Sequence, residues 1–458
     1  MANDIAGDLD LDTVFKTRTL AGVSNTCFIS VAFSQLSSNQ RDTMIKLSNS
    51  FNNKKYHRTK SLFMDGKGLD VSGNSLSSIP DVFISDCGKL NGLKKLNFSQ
   101  NKLSGVLPNF TGFSSLVSLD LSMNYLTVNL DGLIGNFKVL EKLQLSRNHF
   151  VGPIPDELFN FQNLTLIDLS VNNISGVLSN SIGDLSKLNT LLLSSNNLSG
   201  EIPKSLSNIK TLTRLAANQN SFNGSSSLNG SIPSASIGKL ERLTYLELGS
   251  NSLSGEIPKE LGNCVELALL DLSKGAGQNI LSGSIPSGIS NLRGLVSVNL
   301  QDNELNGSIP DSISNLEFLI ELQLGKNCLS SRIPKMPSNL QISLDLSRNC
   351  FEGTIPETLG GLRALEVLDI SNNKFQGLMT VIDASSSTPP TINTWSKKTS
   401  VTLVILIAVI CIDLGVAIAI TAILVVDSDT SLNSKLSLAV VISVVFDVAT
   451  AMMILLTS

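Results

Sequence analysis

From Leu140 the chain reads LEKLQLSRNHFVGPIPDELFNFQN. It repeats as LTLIDLSVNNISGVLSNSIGDLSK from Leu164 and as LNTLLLSSNNLSGEIPKSLSNIKT from Leu188. Apolar positions fall at L-x-x-L-x-L, which sets leucines on one side of a short strand and polar residues on the other. One such turn cannot hide its leucines from water, so the pattern predicts that it stacks on copies of itself. Asn148, Asn172 and Asn196 hold the same place in successive turns. An inward amide there has donors and acceptors for the backbone groups freed where the strand bends away. The glycine that follows suits a bend with positive φ. The proline of I-P fixes φ where a regular strand stops.

The pattern covers most of the chain. The ladder runs through Asn74, Asn101, Asn124, Asn148, Asn172, Asn196, Asn220, Asn251, Asn279, Asn303, Asn327, Asn349 and Asn373. Residues 62–379 therefore form one solenoid of about 13 repeats, with a period typical of such repeats. Two steps are long. One lies between Asn220 and Asn251, around NGSSSLNGSIP, and the other puts Gly275 at the ladder place with four extra residues before Asn279. Both surpluses are rich in Gly and Ser, so they should bulge on one rim without unstacking the turns.

The flanks are different. Residues 1–35 are polar and acidic, with only LAGVSNTCFISVAF as an apolar stretch, and they read as a degenerate or lost signal region. Residues 36–61 have a helical period with Met44 and Leu47 on one face, as expected of an N-terminal cap helix. Residues 380–398 are a Ser/Thr/Pro-rich linker ending near Trp395 and Lys397. Residues 399–426 are long and apolar enough for a transmembrane helix, with Asp413 as the one charge. A short acidic loop, 427–435, leads to a second apolar segment at 436–456, which either spans the bilayer or ends the chain as an apolar tail.

Composition narrows the function. The net charge of −4 over 458 residues argues against a nucleic-acid surface. With 5% aromatic residues, the core should be layers of Leu and Ile. The mean hydropathy of +0.21 reflects the C-terminal segments. Of the six cysteines, Cys87 and Cys264 precede apolar layers and read as small buried hydrophobes, and Cys411 lies in an apolar run. Cys328 and Cys350 each follow a ladder Asn. Equivalent positions in neighbouring turns should lie one strand spacing apart, ~4.7–4.9 Å, inside the disulfide window of ~4.4–6.8 Å. An inter-turn disulfide and two free thiols both fit.

Candidate chemistry is sparse. The strand residues between the leucines include Arg214, Tyr245, Glu247, Asp271, Asn299, Gln301, Asp302, Glu321, Gln323 and Lys326. This mix of charge, amide and one aromatic suits a polar, extended ligand. N-x-S/T sequons occur at Asn97, Asn109, Asn163, Asn173, Asn197, Asn223, Asn229 and Asn306, in keeping with a secretory route. The chain has two histidines, and no nucleophile triad or metal-ligand spacing is visible, so no catalytic residue, metal or cofactor is expected.

The turns, most complete in LTYLELGSNSLSGEIPKELGNC (243–264), resemble the plant class of leucine-rich repeats. With KMPSNLQISLDLSRNCFEGTIP (335–356) and the KKTSVTLVILIAV junction, the chain resembles the ectodomain of a plant leucine-rich-repeat receptor-like kinase. The resemblance implies an α/β repeat solenoid, a horseshoe or superhelix with a parallel β-sheet on its concave face, followed by one or two C-terminal transmembrane helices. It also implies an extracellular peptide or protein ligand, a co-receptor kinase as partner, and a plasma-membrane location with the repeats outside. The sequence departs from that pattern in its weak signal region and in lacking a paired-cysteine cap. It also has no glycine-rich phosphate loop, V-A-I-K lysine, H-R-D or D-F-G motif. The expectation is a non-enzymatic receptor-like protein without its own kinase, or a truncated, non-signalling remnant or decoy of a receptor kinase.

Overall fold

Short parallel strands set one per turn make up the backbone of the fold. A computed structural model of the protein describes residues 63–64, 68–79, 92–106, 110, 112–131, 137–223 and 231–377. These all lie in the first of two units, residues 1–392; the second, 393–458, lies outside the described residues. So do the expected signal region, cap helix, linker and both apolar C-terminal segments, and no described helix is long and apolar enough to cross a membrane.

The long sheet has fourteen strands. Phe63–Met64 pairs antiparallel with Gly68–Asp70, and every later strand joins in parallel, one three-residue strand per turn, as far as Val367–Asp369. The central residue of this sheet's three-residue strands, Leu in all but Ile167 and Val298, points inward. Leu119, Leu191, Leu246, Leu270 and Leu344 are fully buried, stacked turn on turn in one continuous core. Phenylalanines enter that core as well, which the low aromatic content did not suggest. Phe150, Phe222 and Phe351, each two residues after a ladder Asn, are sealed from solvent. Phe110, Phe113, Phe137 and Phe161 form a run of ring contacts with centroids 5.7–6.4 Å apart.

Three features go beyond the sequence pattern. First, the segment after every ladder Asn from Asn101 to Asn373 forms a short strand of its own, in sheets of two, four and six strands among the described residues. Examples are Asn173–Val177, Asn197–Gly200, Ile280–Ser284 and Cys328–Ser331. Second, the crossovers are 3₁₀ turns, with one short α-helix at Ser234–Ile237 among the described residues. Most of these turns begin after a proline, as at Pro155, Pro203 and Pro310. Each of these turns is five residues long, the short length at which 3₁₀ geometry is common. Third, the residue before most ladder asparagines has positive φ although it is not glycine, as at Gln100, Arg147 and Lys326. Val171 adopts the same conformation at φ 55°, where a β-branched side chain is strained.

The ladder itself is as expected. The Asn124 amide donates to the carbonyls of Phe98 in the preceding turn and Leu121 in its own, while its oxygen accepts from the Leu103 N–H. The same bonds recur from Asn101 to Asn373. They also cross both long steps. Asn279, after the four extra residues, donates to Leu248 and Ser273 and accepts from Leu253. Its surplus forms a local turn in which the Gly277 N–H donates to the Lys274 carbonyl. The surplus ahead of Asn251 falls largely on residues 224–230, outside the described residues.

Asn251 is fully buried, donates to the carbonyls of Ala217, Leu248 and Gly249, and accepts from the Phe222 N–H. Replacing it leaves several buried backbone groups unpaired, at ~1–3 kcal/mol each. Asn251→Ala should therefore lower stability by at least ~3 kcal/mol in chemical denaturation, whereas Arg363→Ala at an exposed site should change it by under ~0.5 kcal/mol.

Candidate ligand-binding face

Register decides which polar residues meet on the long sheet. Arg214, Tyr245, Leu269, Ser297, Glu321 and Ser343 form one column across adjacent strands. Ala216, Glu247, Asp271, Asn299, Gln323, Asp345 and Asp369 form another. Strands lie ~4.7–4.9 Å apart, so side chains in one column touch their neighbours.

The expected stripe is thus assembled, but it is not a freely solvated surface. Arg214, Glu247 and Glu321 are buried. The Arg214 Nη2 donates to Glu247 Oε1 at 3.0 Å, and its guanidinium lies 5.2 Å from the Tyr245 ring centroid. Among the described residues, Arg214 Nε has no hydrogen-bond partner. Farther along, Ser297 Oγ donates to Glu321 Oε2 at 2.9 Å, and Ser343 Oγ donates to Glu321 Oε1 at 3.3 Å. Gln301 Nε2 donates to both Gln323 Oε1 and Asp345 Oδ2 at 2.6 Å. Gln323 donates in turn to Glu321 and Ser343. Lys326 and Asp302 sit apart from this network as an exposed ion pair of 3.1 Å.

The aspartates of the second column have a further task. Asp271 Oδ1 accepts from the Ser273 N–H and hydroxyl, and Asp120 does the same with Ser122. Asp345 Oδ1 accepts from the Ser347 N–H. The signal is in the sequence as LDLS at 119–122, 270–273 and 344–347, a short polar side chain closing a local turn on its own backbone. Ser297, Ser343 and Asp345 join the site only through register, which is why pattern reading missed them.

Burial pushes the carboxyls of Asp120, Glu247, Asp271 and Asp345 above their usual range, outweighing the hydrogen bonds to Asp120, Asp271 and Asp345 and the neighbouring Arg214 at Glu247. Like charges add to this: Glu321 acts on Asp271, and Asp369 on Asp345.

The disulfide expectation is corrected. Cys328 and Cys350 are free thiols. On the second face each strand slips by two residues against its neighbour, so Cys350 pairs with Ser330 and Cys328 with Asn306. Combining that slip with the strand spacing separates the two cysteines by ~8 Å, too far for a disulfide. Cys264 is buried, as expected; its thiol donates to the Ile237 carbonyl, and burial followed by Glu241 pushes its pKa up to about 11.

The sequons divide by face. Asn173, Asn197, Asn223 and Asn306 are exposed on the second face or just beyond it, and Asn163 is half-buried on the edge before the long sheet, where its Oδ1 accepts from Lys187 Nζ. Asn97 lies in the long sheet itself, donating to Asp70 and accepting from the Ser99 N–H. Asn109 and Asn229 lie outside the described residues.

Two measurements test this geometry. Under non-reducing conditions a thiol reagent followed by peptide mapping should modify exposed Cys328 rapidly and Cys264 only on unfolding. For the carboxyls, a raised folded pKa means that the folded state holds more protons just above ~3.9–4.3, so stability falls as pH rises through that window. Asp271→Asn should therefore raise the unfolding midpoint at pH 7 and lose that advantage near pH 4.

Comparison with known proteins agrees with the repeat. Leucine-rich-repeat family models match residues 138–198, 92–113, 242–264, 294–316 and 342–362. Receptor-like protein kinase 7 of Arabidopsis thaliana is 46% identical over 59 residues, 13% of this chain and 6% of that protein. Receptor-like protein 41 of the same species is 44% identical over 73 residues, 16% and 8% respectively. The matched segments thus span a small part of these relatives. Among solved structures, a TDR receptor superposes with a TM-score of 0.59 at 32% identity, over 68% of this chain and 56% of that one. The Arabidopsis receptor kinase HAESA, in complex with the peptide hormone IDA and the co-receptor SERK1, gives 0.56 at 33% identity, over 68% and 54%. Repeat and family match agree that the chain is a leucine-rich-repeat protein, similar in its turns to plant receptor-like proteins and receptor kinases.

Proposed function

We propose that the protein recognises an extended peptide or protein segment along the long-sheet face expected to be concave, and that the apolar C-terminal segments hold the repeats outside a membrane. In this reading it carries no kinase of its own and acts through a co-receptor kinase. The peptide and co-receptor bound by HAESA support the partner classes. The ligand-contacting residues are Arg214, Tyr245, Glu247, Asp271, Asn299, Gln301, Glu321 and Gln323. The supporting observation is the hydrogen-bonded network from Ser297 to Asp345, which holds polar side chains in fixed positions across three strands. A face arranged before binding loses less side-chain entropy when a ligand arrives.

Charge narrows the ligand. The strands from Tyr245–Glu247 to Val367–Asp369 contain Glu247, Asp271, Glu321, Asp345 and Asp369 and no Lys or Arg, so the segment bound there should carry basic side chains. The exposed sequons Asn173, Asn197, Asn223 and Asn306 are glycan acceptors in the same reading, and their glycans would leave the long-sheet face open.

Affinity selection of a random peptide library on the purified full-length protein should enrich Lys- and Arg-containing sequences. The isosteric variants Glu321→Gln and Asp345→Asn should each weaken a selected peptide about tenfold, ~1.4 kcal/mol. Selection of no peptide, or of peptides indifferent to both changes, would rule out this face.

A further inference from the structure

The first turns carry a charged feature that peptide recognition does not use. Lys94, Lys95, Lys138, Lys142 and Lys187 are all exposed along the edge where the chain enters the long sheet. Lys95 and Lys142 share a column with Ser118 between them. The ion pairs among the described residues are Arg214–Glu247 and Lys326–Asp302, so none of these five amines is paired with a carboxylate. Lys187 Nζ reaches the Asn163 side-chain oxygen at 2.8 Å. Glu141 and Asp184 are exposed carboxylates in the same turns. Asp120 and Asp168 lie on the same strands, but each turns its Oδ1 back to the N–H and hydroxyl of the serine two residues on.

We propose that this lysine edge binds a linear, carboxylated polysaccharide, independently of the ligand held farther along the long sheet. Spacing carries the choice of partner. Lys95 and Lys142 are two strands apart, ~9–10 Å, whereas each strand of a nucleic acid presents a phosphate every ~3.4 Å. The edge therefore matches a sparsely charged polymer. Ser118 and Thr190 stand on the neighbouring strands, and Thr165 and Asn189 just before them; Thr165 Oγ1 donates to the Glu141 carbonyl and Thr190 Oγ1 to Asn189 Oδ1, so these hydroxyl oxygens can accept from sugar hydroxyls. No aromatic side chain among the exposed large hydrophobics lies on this edge to stack with bases. A bilayer would need an apolar anchor, and the exposed Val139 is too small to be one.

The test titrates full-length protein with polygalacturonate oligomers, with their fully methyl-esterified form, and with single-stranded DNA of similar length. The acidic oligomers should bind, with affinity falling as salt rises, and the esterified form should not. The triple variant Lys95→Glu, Lys142→Glu, Lys187→Glu should lose about tenfold or more and show a shallower salt dependence. Lys259→Glu with Arg293→Glu, exposed elsewhere on the turns, should bind like the parent. A circular-dichroism melt of each variant separates lost contacts from lost fold. Failure to bind, equal binding of the esterified polymer, stronger binding of DNA, or a folded triple variant that binds like the parent would overturn the proposal. None of these outcomes bears on the peptide selection described above.

Discussion

A buried amide that must find partners in two turns at once is the constraint on which this fold depends. Every turn bends its backbone out of the long sheet, and the bend strands carbonyls and N–H groups in an apolar interior. One asparagine per turn supplies the missing donors and acceptors, reaching into its own turn and the one before it. Leucine burial drives stacking and fixes which face of each strand turns inward, because a one-residue slip would carry the leucines to the solvent face. The amide holds the bend that follows, because a slip would leave it and its partners unpaired in the core.

That division explains why the chain tolerates irregular steps. The four extra residues before Asn279 loop out, and the ladder closes behind them with the same classes of bond. The 31-residue step to Asn251 closes in the same way. Loop length costs little entropy once both ends are held. The ladder holds both ends.

The same economy governs the candidate ligand face. Asp271 and Asp345 present carboxylates on the long sheet while closing local turns with Ser273 and Ser347. Their burial raises the cost of ionisation, and a cationic ligand would relieve it. Structure and recognition therefore draw on the same atoms in the later turns. In the early turns Lys94, Lys95, Lys138 and Lys142 form no ion pair among the described residues, so those side chains can serve an outside partner.

The sequence by itself determined the repeat, the inward leucines and the ladder asparagines, because each is a one-dimensional pattern whose physical meaning does not depend on distant residues. It also named Arg214, Glu247 and Glu321 as facing outward from the leucine layer, although not that they are buried by one another and by their neighbours. Tertiary structure alone decided the register. The two-residue slip of the second face keeps Cys328 from Cys350, and the in-step pairing of the long sheet joins Gln301 to Asp345 across 44 residues. Such relations depend on how one turn is sheared against the next. Shear is settled by packing among all the turns, and no single repeat contains it.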